Sequence, residues 1–328
     1  MKKLIATLLL LTLTAFTFIS CSNGSDSDDT QLRIGYLTGP TGVGMAKMIK
    51  DNNASSEKYS FKSYVNDSAT AMADLKTNKI DVICMPTNAV PTYYTKNTDC
   101  IVLSINTLNT LFFLTDETVT VNSLEDLEGQ TIYTCEAGTP KLILKALLDE
   151  AGVNATIATQ VGDDKKIADP EALKNEIVNG NVSIAFAPEP IVSASAAARQ
   201  GSQKTPYTVA LSCDEEWKQV FGQDSVIAMG CIVANKTFVE AHPQVISNFL
   251  EEYEESIDFM SNPENIDSAT QYVVNANILP NAKVARSALT NLGSSIAYID
   301  GEEMKDALEY LFTLMNITLP DGSLYYEK

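Results

Sequence analysis

Histidine is almost missing from this chain of 328 residues: His242 stands alone, followed by Pro243 at what reads as a helix start. A single imidazole argues against Ser-His-Asp chemistry and against histidine-rich metal sites, because both need imidazole as base or ligand. The six cysteines show no CxxC or other metal-ligand spacing, so neither a metal nor a cofactor is expected. Positive charge is scarce as well. With 23 Lys and Arg against 42 Asp and Glu, the formal net charge is −19, which argues against nucleic acid or an anionic membrane surface as partner. Phosphate loops are absent too. Gly39 and Gly44 have the Walker spacing, but Met45 and Ala46 follow where a lysine and a hydroxyl residue are needed. Lys47 stands where a dinucleotide fingerprint requires its third glycine.

What is present begins with "MKKLIATLLLLTLTAFTFISC". Two lysines, an uncharged apolar run and small or polar residues before Cys21 describe an export signal over residues 1–20. An uncleaved membrane anchor is the alternative, since the apolar stretch approaches the length of a span. "FISC" resembles the lipobox of bacterial lipoproteins, which implies lipidation of Cys21, with acyl chains such as palmitate. The following "SNGSDSDDTQ" is small, polar and acidic and cannot bury a core, so residues 21–31 read as a tether. Ten flexible residues reach roughly 17 Å. Removing Lys2 and Lys3 with the signal takes the charge from −19 to −21. Cys84, Cys100, Cys135, Cys213 and Cys231 mostly occupy apolar, strand-like runs. They read as buried, reduced residues; one bridge is the alternative, since an odd count cannot all pair.

Roughly 300 residues follow the tether, enough for two domains. One arrangement occurs twice. "LRIGYLT", "GPTG" and "VGMAKMIKDN" read as strand, turn and helix, and "QTIYTCE", "AGTP" and "KLILKALLDEAG" repeat the order. Each unit continues through a helix into a further strand, "KIDVICMPTNAV" in the first and "VSIAFAPEPIV" in the second. Strands alternating with helices predict two α/β lobes with parallel or mixed sheets flanked by helices. The apolar runs "CIVLSINTLNTLFFLTD" and "DSVIAMGCIVANKTF" read as crossovers between lobes. From Val239 onward the periodicity is helical, as for packing helices that complete the first lobe. The expected lobes are residues 32–113 with 235–328, and residues 114–234.

Ligands of open α/β sheets bind beyond the carboxyl ends of the strands, where the strand order switches. Four loops then form the candidate cleft: Thr38–Val43, Pro86–Asn88, Ala137–Pro140 and Pro188–Pro190. Thr38, Gly39, Thr41 and Gly42 can present N–H and hydroxyl donors, or simply build a βα turn. Gly138 and Thr139 mirror them, with Pro140 structural at a first helical position. Thr87 and Asn88 follow a buried strand and bond ligand or start the next helix. Tyr93 can stack on a ring, although Tyr94 points elsewhere on the same helix. Glu189, between two prolines, can bind an amine or a ring nitrogen, cap a helix or pair with lysine. Arg33, Arg199 and Arg286 lie outside these loops, which points away from sulfonate or phosphate and toward a neutral or cationic ring-bearing solute.

The order strand–GPTG–helix, then "SLEDLEGQTIYTCEAGTPKLILKALLDEAGV" and "NGNVSIAFAPEPIVS", resembles the solute-binding lipoproteins of ABC importers. The branch is the nitrate/sulfonate/thiamine-precursor-like group with the type II periplasmic binding fold, and the similarity spans nearly all of the mature chain. The resemblance implies a non-enzymatic, monomeric receptor whose lobes close on a small solute. It would present that solute to permease and ATPase subunits from the outer face of the cytoplasmic membrane or in the periplasm. Two rivals remain: a ligand-sensing lipoprotein serving a signalling partner, and an enzyme on the same fold. The latter needs a nucleophile–base pair, a metal cluster or a cofactor lysine, and none stands out at a strand end.

Overall fold

The computed structural model describes residues 30–52, 57–65, 67–318 and 322–327. The expected signal 1–20, Cys21 and all but the last residues of the tether lie outside the described residues. The chain opens a first sheet with β1 (Leu32–Leu37), β2 (Tyr59–Tyr64), β3 (Val82–Pro86) and β4 (Ile101–Thr107). It then enters a second sheet as β5 (Leu111–Thr115), β6 (Thr131–Tyr133) and β7 (Thr156–Ala158). A short ribbon follows, β8 (Gln160–Val161) with β9 (Lys165–Lys166), before β10 (Ile184–Pro188) and β11 (Thr208–Ser212). The chain returns to the first sheet with β12 (Gly230–Ala234) and β13 (Ile296–Ile299).

Both sheets are mixed. The first has the order β13-β4-β12-β3-β1-β2 and the second β11-β5-β10-β6-β7. In the first, β1 runs parallel to β2 and β3, and β12 is antiparallel to β3 and β4. In the second, β6 runs parallel to β7 and β10, and β5 is antiparallel to β10 and β11. The expected α/β architecture is therefore present. Its strands carry the composition that burial on both faces demands: β5 and β12 are buried at every residue and read as nearly unbroken apolar runs, and β4 is equally buried although it ends on Asn106 and Thr107. At the edge, β2 leaves the adjacent Lys62 and Ser63 exposed, one on each face.

Helices cover the faces for local reasons. Pro140 and Pro170 each occupy a first helical turn, where a missing N–H costs nothing. The Asp169 carboxylate accepts the Ala172 N–H at 2.8 Å and caps the second of these helices. The helix Pro243–Ser261 buries Val245, Ile246, Phe249, Leu250, Tyr253 and Ile257 along one stripe against the first sheet. Each such side chain contributes about 1.5–3 kcal/mol when fully buried.

The sheet memberships depart from the expected boundaries at two places. β5 joins the second sheet from Leu111, three residues before the expected start at 114. β12 lies in the first sheet, with Ile232 paired to both Cys84 and Ser104. An apolar run such as "GCIVA" satisfies either sheet, and only its pairing partners distinguish them. The crossovers are therefore the short stretches between β4 and β5 and between the helix Cys213–Phe221 and β12. The helix Gly301–Leu314 spans both halves. Its Met304, Leu308 and Phe312 pack on the first sheet, while Tyr310 meets Trp217 and Phe221 edge-on at 6.1 and 6.3 Å.

Candidate functional site

Each sheet has one switch point. From β1 the chain moves to β2 on one side, then crosses to β3 on the other, so the switch point lies beyond Leu37 and Pro86. From β6 it moves to β7, then crosses to β10, so the second switch point lies beyond Tyr133 and Pro188. These are the carboxyl ends of parallel strands, where converging loops leave room for a ligand. All four expected loops are there.

The turn after β1 is bound mainly to its own surroundings. The Thr38 N–H donates to the Tyr64 carbonyl at 3.2 Å, the Gly39 N–H to Ile278 at 2.9 Å and the Gly42 N–H to Gly39 at 3.1 Å. The turn winds as a 3-10 helix over Pro40–Met45, not as a plain loop. A Cβ on Gly42 would lie 2.4 Å from the Leu37 carbonyl oxygen, so only glycine permits so tight a turn. The backbone donors expected at positions 38, 39 and 42 are thus engaged internally. What remains is hydroxyl: the side chains of Thr38 and Thr41 carry no hydrogen bond among the described residues. Asn88 is half-buried and equally unengaged.

Other expected residues are tied down. The Thr87 hydroxyl donates to the Ala228 carbonyl at 2.5 Å and its N–H to Met229 at 3.2 Å, fastening β3 to the return crossover. Tyr93 is only 5% exposed, lies in the core of the first sheet and accepts a hydrogen bond from Asn97 Nδ2 at 2.8 Å. The expected stacking role is therefore corrected: the helical position that makes Tyr93 apolar-periodic also turns its ring inward. On the second sheet, Gly138 is exposed with φ +83°. The Thr139 hydroxyl reaches Met229 Sδ at 3.6 Å, again at the crossover.

Glu189 takes the capping role, with an addition. Its Oε2 accepts the Ser193 N–H at 3.2 Å and its Oε1 accepts Ser193 Oγ at 2.9 Å, which caps the helix Ile191–Gly201. Oε1 also accepts from Asn291 Nδ2 at 2.6 Å, a residue of the helix Ala282–Leu292. Burial pushes the Glu189 carboxyl above its ordinary range, and the bonds from Asn291 and Ser193 oppose that shift.

The residues that bring these loops together were not singled out from the sequence. Asn106 Nδ2 donates to the Thr41 carbonyl at 3.0 Å and to the Tyr253 hydroxyl at 3.1 Å. The Thr110 carbonyl accepts the Glu189 N–H at 2.9 Å. Both belong to "NTLNT" at residues 106–110, a polar interruption of an otherwise apolar run, and that interruption is the signal that marks them. Buried Asn106, Thr107, Asn109 and Thr110 thus floor the meeting point of the two sheets.

No arginine serves this region. Arg33 grips Asp81 through Nε at 2.9 Å and Nη2 at 2.5 Å, Arg199 donates to the carbonyls of Ile177, Val178 and Thr205, and Arg286 pairs with Asp267. Two cavities of about 390 and 510 Å³ lie elsewhere, the first beside Tyr59 and Glu252 and the second between Phe221 and Tyr310. Among the described residues no group of His, Cys, Asp or Glu is placed to hold a metal ion. Nor is any described helix long and apolar enough to cross a membrane.

Comparison with known proteins gives a family and a fold. A family model described as NMT1/THI5 like matches residues 99–266. No curated protein matches the sequence. Among solved structures, the fold is similar to a protein of Parabacteroides distasonis described as an ABC transporter, at 15% identity and a TM-score of 0.70, covering 91% of this chain and 99% of that one. It is also similar to the periplasmic aliphatic sulphonate binding protein of Escherichia coli, at 16% identity and 0.64, covering 91% and 92%. The periplasmic nitrate-binding protein of Synechocystis is similar at 13% identity and 0.57, covering 90% and 83%.

Proposed function

The chain belongs to the NMT1/THI5-like family, and from that premise we propose that it is the extracytoplasmic solute-binding component of an ABC importer. One observation carries the reading. The switch-point loops of two separate sheets converge on a pair of short crossovers, which is the geometry of two lobes hinged about a shared cleft. The names of the similar structures, an ABC transporter protein and two periplasmic binding proteins for sulphonate and nitrate, support the same role. A solute that touches both lobes stabilises the closed form through its better affinity for it, and the closed form is what a permease reads. No catalytic step is assigned; the protein captures and delivers.

Among the described residues, the side chains of Thr38, Thr41 and Asn88 make no hydrogen bond, and the buried Asn109 Nδ2 lacks a partner as well; all are neutral and polar. These groups fit a solute rich in hydrogen-bonding edges. The three arginines are engaged elsewhere and the helix N-terminus at Ser193 is already capped by Glu189, which disfavours an oxyanion. The solute class proposed is therefore a neutral or cationic metabolite held by hydrogen bonds. The anchor proposed is a lipidated Cys21, which holds the domain on the outer face of the cytoplasmic membrane; a Cys21→Ala protein released into the soluble fraction is the expected result.

A thermal-shift screen of the purified full chain tests the function. Pyrimidines, thiamine precursors, riboflavin, amino acids and purines are set against nitrate and alkanesulfonates. A solute at about a hundred times its dissociation constant adds roughly 2.7 kcal/mol and raises the midpoint by several degrees. The solute is recovered chemically unchanged. Conversion of the solute replaces this reading with an enzymatic one, and a response confined to nitrate or sulfonates refutes the solute class.

A further inference from the structure

The Glu189 carboxylate joins elements of both sheets. Ser193, which gives it two hydrogen bonds, lies on the helix that follows Glu189 over the second sheet. Asn291, which gives the third and shortest at 2.6 Å, lies in the last turn of the helix Ala282–Leu292. That helix packs Ala285, Ala288, Leu289 and Leu292 into the core of the first sheet. Ser193 alone satisfies the capping role, so the Asn291 donor is surplus to the local structure. Glu189 is 2% exposed, and water has little access to compete for the carboxylate. The Glu189 N–H donates to the Thr110 carbonyl at 2.9 Å, which anchors the backbone that carries the carboxylate.

We propose that Asn291 and Glu189 form a closure latch: Asn291 holds the buried carboxylate only while the lobes are together, and so sets the fraction of closed molecules. The proposal rests on the reading of the chain as a hinged solute receptor. A contact made in one state alone shifts the equilibrium by its whole differential free energy. Apparent solute affinity then scales with the closed fraction, although Asn291 itself need not touch solute. Asn291 is a positioning residue, and its partner is a side chain of the opposite lobe.

Ser193 supplies the control, because Ser193→Ala removes a bond to the same carboxylate without crossing between lobes. Spin labels on Lys145→Cys and Glu254→Cys, both exposed and on helices of opposite sheets, report the inter-lobe distance in the full chain. Two distances are expected in the parent. Asn291→Ala lowers the closed-to-open ratio about tenfold, the effect of one hydrogen bond to a charged group. Ser193→Ala leaves the ratio within about twofold, and Asn291→Gln recovers part of it. If Asn291→Ala lowers only the melting temperature, or shifts the ratio no more than Ser193→Ala does, the latch is overturned and the contact is a plain structural tie. A single distance in the parent and in every variant, unmoved by the metabolite panel, overturns the hinge reading itself along with the latch.

Discussion

Replacing Gly230 with alanine probes the junction where the two sheets meet. A Cβ at that position would lie 2.6 Å from Asn106 Oδ1, 2.6 Å from Thr41 Cγ2 and 3.0 Å from Thr107 Cβ. None of these can withdraw easily. Asn106 is held by the Thr41 carbonyl, the Tyr253 hydroxyl and the Thr107 hydroxyl at 3.0, 3.1 and 3.0 Å. An added methyl in a packed site costs about 1–3 kcal/mol, and a pinned network places this one near about 3 kcal/mol. At about 2 °C per kcal/mol for a long chain, the melting midpoint falls by about 6 °C. Gly201→Ala is the matched control: it ends the helix Ile191–Gly201 and its Cβ meets nothing within 4 Å. That variant is unchanged, or more stable by up to about 1 kcal/mol. Urea unfolding followed by circular dichroism measures both. A Gly230→Ala protein within about 0.5 kcal/mol of the parent, the range of an ordinary surface change, refutes the close-approach argument.

Three further outcomes follow from the same packing. Lys62, Lys79 and the Tyr64 hydroxyl hold the Asp74 carboxyl well below the usual carboxylate range, so its stabilisation is complete above the unfolded pKa of about 3.9 and is lost as the pH falls below it; Asp74→Asn removes that acid-side loss in pH-dependent unfolding, and an identical acid limb in both proteins contradicts the assignment. Burial pushes the Cys84 and Cys213 thiols up to about 12 and Cys135 up to about 11, and all five described cysteines are buried and free. A thiol reagent at pH 8 therefore labels none of them in the native chain and all five after denaturation; rapid native labelling or a mass lower by one bridge contradicts this. Trp217, the sole tryptophan, stacks on Phe221 at 4.1 Å and meets Tyr310 edge-on. Tyr310→Ala removes about 1 kcal/mol of aromatic contact and red-shifts the emission, and an unshifted spectrum refutes the contact.

Much of the fold was legible because periodicity and turn chemistry are local. The alternation of strand and helix, Pro140 and Pro170 at helix starts and the acid-faced helix Pro243–Ser261 all follow from residues close together in sequence. The four candidate loops followed from a topological rule applied to that order. Two things were not legible. β12 is apolar throughout, and its place between β3 and β4 depends on partners more than a hundred residues away. Tyr93 is equally ambiguous in sequence, because an aromatic after a strand serves a core or a cleft, and its facing is set by the helix it rides on.

Glu189 shows the division most clearly. Its flanking prolines and its position after a buried strand marked it as unusual, and helix capping was among its expected roles. That its third hydrogen bond comes from Asn291, 102 residues away, is a fact of tertiary structure alone. The sequence by itself determined the elements, the repeated α/β order, the acidic surface and the loops that end each parallel strand, since each depends on the chemistry of near neighbours. Tertiary structure decided which donors those loops leave unpaired and which they turn inward. A hydrogen bond needs its two groups within about 3 Å, and only the folded chain brings Asn106 to Thr41, Thr87 to Ala228 and Asn291 to Glu189.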